Sequence, residues 1–180
     1  LTVIGVVEPG ASAAVAACPG GSHLVLATEA TVGLGAYRDA ISALDPAAIV
    51  KEKACEMLVA LAEEGWTDGD IAASIIRRYL TAADDGAFRA DSIILGCTHF
   101  PLLKEAIRRE AGRGVRIVDS ASTTASVVSE ALQSEGIRRQ NHEAGALRFL
   151  ATDGATRFAR VGGLFLGEPL SYSDVEVVDL

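Results

Sequence analysis

Ser92-Ile93-Ile94-Leu95-Gly96-Cys97-Thr98-His99-Phe100-Pro101-Leu102-Leu103 is the stretch on which the fold turns. Ser92 leads into three apolar residues, two of them β-branched, the pattern of a buried strand. Gly96 to His99 supply small and polar turn residues. Pro101 is a residue favoured in a first helical turn, and it opens a predicted helix from Leu102 to Ala111. Strand, tight turn and helix in about twenty residues make half of a βαβ unit.

The same alternation extends in both directions. Leu24 to Ala27 reads as a strand ended by Thr28, and Thr31 to Leu44 as a helix with Ala36, Tyr37, Ala40, Ile41 and Leu44 on one stripe. Asp45-Pro46 stops that helix, and Ile49-Val50 forms a short strand. Asp68 stands where an N-cap belongs, ahead of Ile71, Ile75, Ile76, Tyr79 and Leu80 on a second stripe. Downstream, Val115 to Val118 is a strand and Ser122 to Gln133 a helix. At the start, Val3 to Val7 reads as a strand stopped by Glu8-Pro9-Gly10, with a helix from Ala11 to Cys18. Glu135 to Gly145 reads as a polar linker. Beyond it come a strand from Leu147 to Thr152, a helix near Ala155 to Val161 and a last strand from Val175 to Val178.

Strands alternating with helices predict an α/β fold with a parallel sheet flanked by helices. Ligands of such sheets collect at the C-terminal ends of the strands. By this reading three such ends carry polar residues: Glu8-Pro9-Gly10, Thr28 to Thr31, and Gly96 to His99.

Composition narrows the partners. The net charge of −8 repels a phosphate backbone, so nucleic acid is excluded as a direct ligand. No apolar stretch approaches the ~18 residues of a membrane span. Val15-Ala16-Ala17-Cys18 resembles the end of a lipoprotein signal, but no basic residue precedes it and Glu8-Pro9-Gly10 interrupts the run. Cys18, Cys55 and Cys97 form no CxxC pair and no zinc spacing with His23, His99 or His142, and read as reduced thiols of a cytoplasmic protein. His23 and His142 have loop surroundings and read as solvated.

Cys97 is the candidate for chemistry. A thiol between a strand end and a helix N-terminus meets unpaired N–H groups and the positive end of the helix dipole, which favour thiolate and a lowered pKa. Thr98 and His99 add a hydroxyl and an imidazole beside it. The competing reading is a small core hydrophobe, since free cysteines are often buried. Thr28 and Thr31 read as pocket hydroxyls or as a strand end and a helix N-cap, with the cap assigned to Thr31. Cys18 and Cys55 read as structural.

Leu95 to Leu103 resembles the signature around the second catalytic cysteine of glutamate racemases, members of the aspartate/glutamate racemase superfamily. Ile4-Gly5-Val6-Val7-Glu8-Pro9-Gly10-Ala11 resembles the opening of that family's second domain. Ala27-Thr28 to Thr31, Gly35-Ala36-Tyr37, Glu63-Glu64-Gly65-Trp66, Thr152-Asp153, Arg157-Phe158, Phe165-Leu166-Gly167 and Val175 to Val178 fit in the same order. Cys55 to Leu61 departs from the family, which is richer there in proline and phenylalanine.

The resemblance implies two similar α/β domains in a parent enzyme. Residues 1–121 would be a complete second domain carrying Cys97, and residues 122–180 the C-terminal part of the other, incomplete domain. It implies cofactor-independent interconversion of L- and D-glutamate by two thiols, supplying D-glutamate for peptidoglycan in the cytoplasm. Cys97, His99 and Glu63 would be catalytic, with Glu64 as the alternate acid, and Thr98, His99, Thr28 and Thr31 would bind substrate. No metal or other cofactor is implied, glutamate is the small-molecule partner, and a homodimer stays open. The family's opening segment, with its first thiol in a Cys-Asn-Thr motif, has no match here. The expectation is therefore a truncated chain, inactive alone. A racemase for aspartate or another amino acid, a single-thiol decarboxylase of the same superfamily and a non-catalytic glutamate-binding fragment are the alternatives.

Overall fold

In β1 (Ser22–Ala27) side chains alternate between two cores, as a strand's period of two requires. Leu24 and Leu26 enter one hydrophobic cluster with Ile93 and Leu95. Val25 and Ala27 enter another with Ile94 and Val118. A computed structural model describes residues 2–84, 86–140 and 145–179. In it β1 pairs in parallel with β2 (Ile49–Ala54) on one side and β3 (Ser92–Leu95) on the other, and β3 pairs in parallel with β4 (Arg116–Asp119). The order β2-β1-β3-β4 places sequence neighbours β1 and β2 on one side and β3 and β4 on the other. The predicted α/β class with a parallel sheet flanked by helices is what the chain adopts.

Both faces of the sheet are covered, as parallel sheets require. One face packs α4 (Glu56–Glu63), α5 (Gly69–Ala83) and α6 (Lys104–Ala111) through Leu58, Leu61, Ile76 and Ile107. The other packs α1 (Val7–Ala17) and α3 (Ala36–Leu44) through Ala11, Ala14, Tyr37 and Ile41. Each large apolar side chain buried in this way stabilises by about 1.5–3 kcal/mol. Helix α7 (Ser120–Ser134) packs on α1.

Several local expectations change. Glu8-Pro9-Gly10 ends no strand: the chain is helical from Val7, and Pro9 is tolerated because first-turn N–H groups have no intrahelical acceptor. The predicted helix from Thr31 to Leu44 is two helices, α2 (Glu29–Leu34) and α3, divided at Gly35 with φ +65°. Strand β2 runs on through Lys51, Glu52 and Lys53. Helix α4 fills a stretch to which the sequence pattern assigns no element. His23 is not solvated: it lies in β1, fully buried, with Nδ1 2.7 Å from the Ser92 hydroxyl. The solvated reading fails because a polar residue beside a turn still enters the core when the strand pairs on both sides.

The chain divides into two compact units. The first holds residues up to Ala62 and from Trp66 to Arg138, so α7 lies within it. The second holds Glu63–Gly65 and the residues from Arg139 onward. There β5 (Phe149–Ala151) pairs in parallel with β6 (Val175–Val177), joined through α8 (Ala155–Leu166), and the Phe149 and Phe158 rings meet with centroids 6.5 Å apart. His142 and part of the predicted linker lie outside the described residues. Among the described residues no helix is long and apolar enough to cross a membrane.

Candidate active site at the ends of β1 and β3

The strand order reverses direction between β1 and β3, so their C-terminal ends flank the crevice where α/β sheets bind ligands. Gly96 closes the ladder by donating its N–H to the Leu26 carbonyl at 2.8 Å. The approach is tight: a Cβ on Gly96 would lie 3.0 Å from the Tyr37 ring and 3.2 Å from the Leu26 oxygen. The chain then leaves the strand through Cys97, Thr98 and His99 and enters a 3-10 turn, Phe100–Leu103, ahead of α6. Phe100 and Leu103 are fully buried and anchor the turn, and the Phe100 N–H bonds back to the Cys97 carbonyl at 3.1 Å.

Cys97 is half-buried, with its sulfur 3.9 Å from His99 Nδ1. That nitrogen also stands 3.4 Å from the Thr98 hydroxyl. The structure thus brings Cys97, Thr98 and His99 together. Burial raises the thiol above its ordinary pKa. The His99 N–H and the Thr98 hydroxyl and N–H pull it back, and Glu56 adds to the rise. The net direction is upward, opposite to the lowering expected from a helix dipole. A 3-10 turn separates the sulfur from α6, so no α-helix N-terminus points at it.

At the end of β1, Thr28 and not Thr31 is the N-cap: its hydroxyl accepts the Thr31 N–H at 3.4 Å, and the two hydroxyls lie 3.1 Å apart. A residue with extended backbone dihedrals just before the helix can cap it, and Thr31 already lies inside α2. At the end of β4, Asp119 caps α7 and accepts from Lys104 Nζ at 3.0 Å. Burial opposes its ionisation, but Lys104, Ser122 and the Ala121 N–H prevail and hold its pKa down.

A cavity of about 560 Å³ opens beside Cys97, lined also by Tyr37, Thr98, Ser120 and Thr124. Sequence reasoning missed Tyr37, Ser120 and Thr124. Helical periodicity puts Tyr37 on an apolar stripe and nothing more, although its phenol is a signal that one end of the ring seeks a polar partner.

Glu63 groups with the second unit, at the last position of α4. Its carboxylate is paired with Arg157, and its carbonyl accepts from Arg160 at 2.5 Å. Glu64 is more exposed, 4.0 Å from Arg160. Cys18 lies at the opposite end of the sheet, its sulfur 3.7 Å from the Asp91 carbonyl. Cys55 is fully buried, and burial pushes its thiol up to about 12.

Residues 1–128 match the Asp/Glu/hydantoin racemase family. A glutamate racemase of Geobacter metallireducens is 41% identical across the whole chain, which spans 65% of that protein's length. The crystal structure of a glutamate racemase isoform from Bacillus anthracis superposes with a TM-score of 0.88 at 33% identity, covering all of this chain and 65% of that one. A glutamate racemase from Francisella tularensis, solved in complex with D-glutamate, covers 97% of this chain and 62% of its own at 27% identity and a TM-score of 0.81.

Proposed function

The chain belongs to the Asp/Glu/hydantoin racemase family, and on that premise we propose that it serves cofactor-independent racemisation of glutamate, with Cys97 as one of two acid/base thiols. The observation that carries the reading is Cys97 at the β1/β3 crevice, 3.9 Å from an imidazole and beside a hydroxyl. The relatives named glutamate racemase support the substrate, and the D-glutamate held by the Francisella enzyme supports its class.

The chemistry is a proton exchange at Cα. A thiolate on one face takes the Cα proton, and the bond's electron pair remains on the substrate as a carbanion conjugated with its carboxylate. An acid on the other face then delivers a proton to Cα. With no electron sink, that charge is held by donors already in place. Thr98 is exposed and adjacent, and Thr28 and Thr31 offer hydroxyls at the neighbouring strand end. A raised pKa makes the resting Cys97 a protonated acid, ready to donate. Passing its proton to His99 turns it into the base. Cys18 and Cys55 do not supply the second group in this reading: one sits at the wrong end of the sheet and the other is sealed in the core. Glu63 keeps the assisting role that the family resemblance gives it. Supply of D-glutamate for peptidoglycan in the cytoplasm follows from the same resemblance.

The test is exchange of the glutamate Cα proton in D2O, followed by NMR. Exchange needs only one base, so it reads Cys97 by itself. The expected outcome is exchange with glutamate that is lost in Cys97→Ser, whose hydroxyl is a far weaker acid than a thiol. Exchange that persists in Cys97→Ser, or that favours aspartate, overturns the reading.

A further inference from the structure

Tyr37 sits in an apolar stripe, yet its hydroxyl does not end in an apolar core. The residue is 1% exposed, and its ring lies between two glycines. A Cβ on Gly10 would stand 3.2 Å from Cε1, and one on Gly96 3.0 Å from Cε2. The hydroxyl has no hydrogen-bond partner, and the residue lines the cavity that also holds Cys97, Ser120 and Thr124. Ser120 gives its own hydroxyl hydrogen to the Leu95 carbonyl at 2.7 Å. The Thr124 hydroxyl is also unpartnered. Buried hydroxyls are almost always paired, so a hydroxyl facing this cavity takes its partner there, from water or from a group at the site.

We propose that Tyr37 is a positioning residue for Cys97, its clamped hydroxyl donating a hydrogen bond, directly or through one water, to the thiolate that forms when Cys97 gives up its proton. The inference rests on the reading of Cys97 as a proton-transfer thiol. A neutral phenol suits this role. Burial raises its pKa, Ser120 offsets part of that rise, and Cys97 and Glu8 add to it. Tyr37 therefore stays a neutral donor around neutral pH. The charged and titratable groups facing the pair are His99 beside the sulfur, Glu56 from α4 and Glu8 from α1.

Tyr37→Phe tests this, because it keeps the ring between Gly10 and Gly96 and removes only the oxygen. Iodoacetamide labelling of the full chain against pH, read at Cys97 by mass spectrometry, reports the thiol's apparent pKa. The expected shift is upward by roughly one unit, the size expected from losing one hydrogen bond to a charged group. A residue with a packing role alone leaves that profile unchanged. Replacing the tyrosines with 3-fluorotyrosine strengthens the donor and is expected to move the Cys97 profile downward, which decides the matter if Tyr37→Phe folds poorly. An unmoved profile in both preparations overturns the inference. Absence of Cα exchange in the unsubstituted chain would instead defeat the reading of Cys97 and leave the Tyr37 shift measurable.

Discussion

Nδ1 of His99 stands 3.9 Å from the sulfur of Cys97 and 3.4 Å from the hydroxyl of Thr98. One imidazole nitrogen is thus shared between a thiol and a hydroxyl, and the tautomer decides which it serves. His99→Asn is expected to slow alkylation of Cys97 at neutral pH several-fold, since it removes the base that receives the thiol proton. Labelling rates at pH 6 to 9 check this, and an unchanged rate across that range would separate His99 from the thiol.

Cys97 is expected to label well before Cys55. Both thiols are raised, but Cys55 is fully buried and stands at about 12, while Cys97 is half-buried with N–H groups and a hydroxyl drawing it back. The thiolate is the reactive form. Peptide-resolved labelling at pH 8 gives the order directly, and Cys55 reacting first would mean that the core over β2 opens.

Gly96→Ala is expected to destabilise the fold by about 1–3 kcal/mol, the usual cost of overpacking. The added carbon would meet the Tyr37 ring at 3.0 Å, Val25 at 3.1 Å and the Leu26 carbonyl at 3.2 Å, and two of these neighbours cannot swing away. Urea unfolding provides the measurement. A neutral result would show that α3 can shift outward and carry the ring with it.

His23 makes stability depend on pH. Burial lowers its pKa below 6.5, against smaller opposing effects of Asp91 and Asp45. The folded chain therefore binds fewer protons at this site than the unfolded chain once the pH falls below the unfolded value. Stability from this site is full above about pH 6.5 and falls as the pH drops, with a limiting slope of about 1.4 kcal/mol per pH unit. Melting temperatures between pH 7.5 and 5.5 are expected to fall less in His23→Asn than in the parent. Parallel curves would contradict a neutral buried imidazole.

The sequence by itself determined the fold class, the strands β1 and β3, and the Cys97-Thr98-His99 run at the crevice. Leu24 to Ala27 and Ile93 to Leu95 are short apolar runs bounded by turn residues, and such a pattern fits a strand covered on both faces. Cys97, Thr98 and His99 were legible because they are consecutive, so one turn brings them together whatever the rest of the chain does. Tertiary structure alone decided the rest. β2 extends through Lys51, Glu52 and Lys53 because pairing with β1 runs through backbone groups that side-chain patterns do not report. His23 is buried because strands on both sides of β1 close over it. The Cys97 thiol rises because packing takes it partly out of water, and a dipole argument from adjacency to a helix contains no measure of burial. Tyr37 lines the same cavity as Cys97, sixty residues away in the chain, only because α3 packs on the face of the sheet with the ring between Gly10 and Gly96.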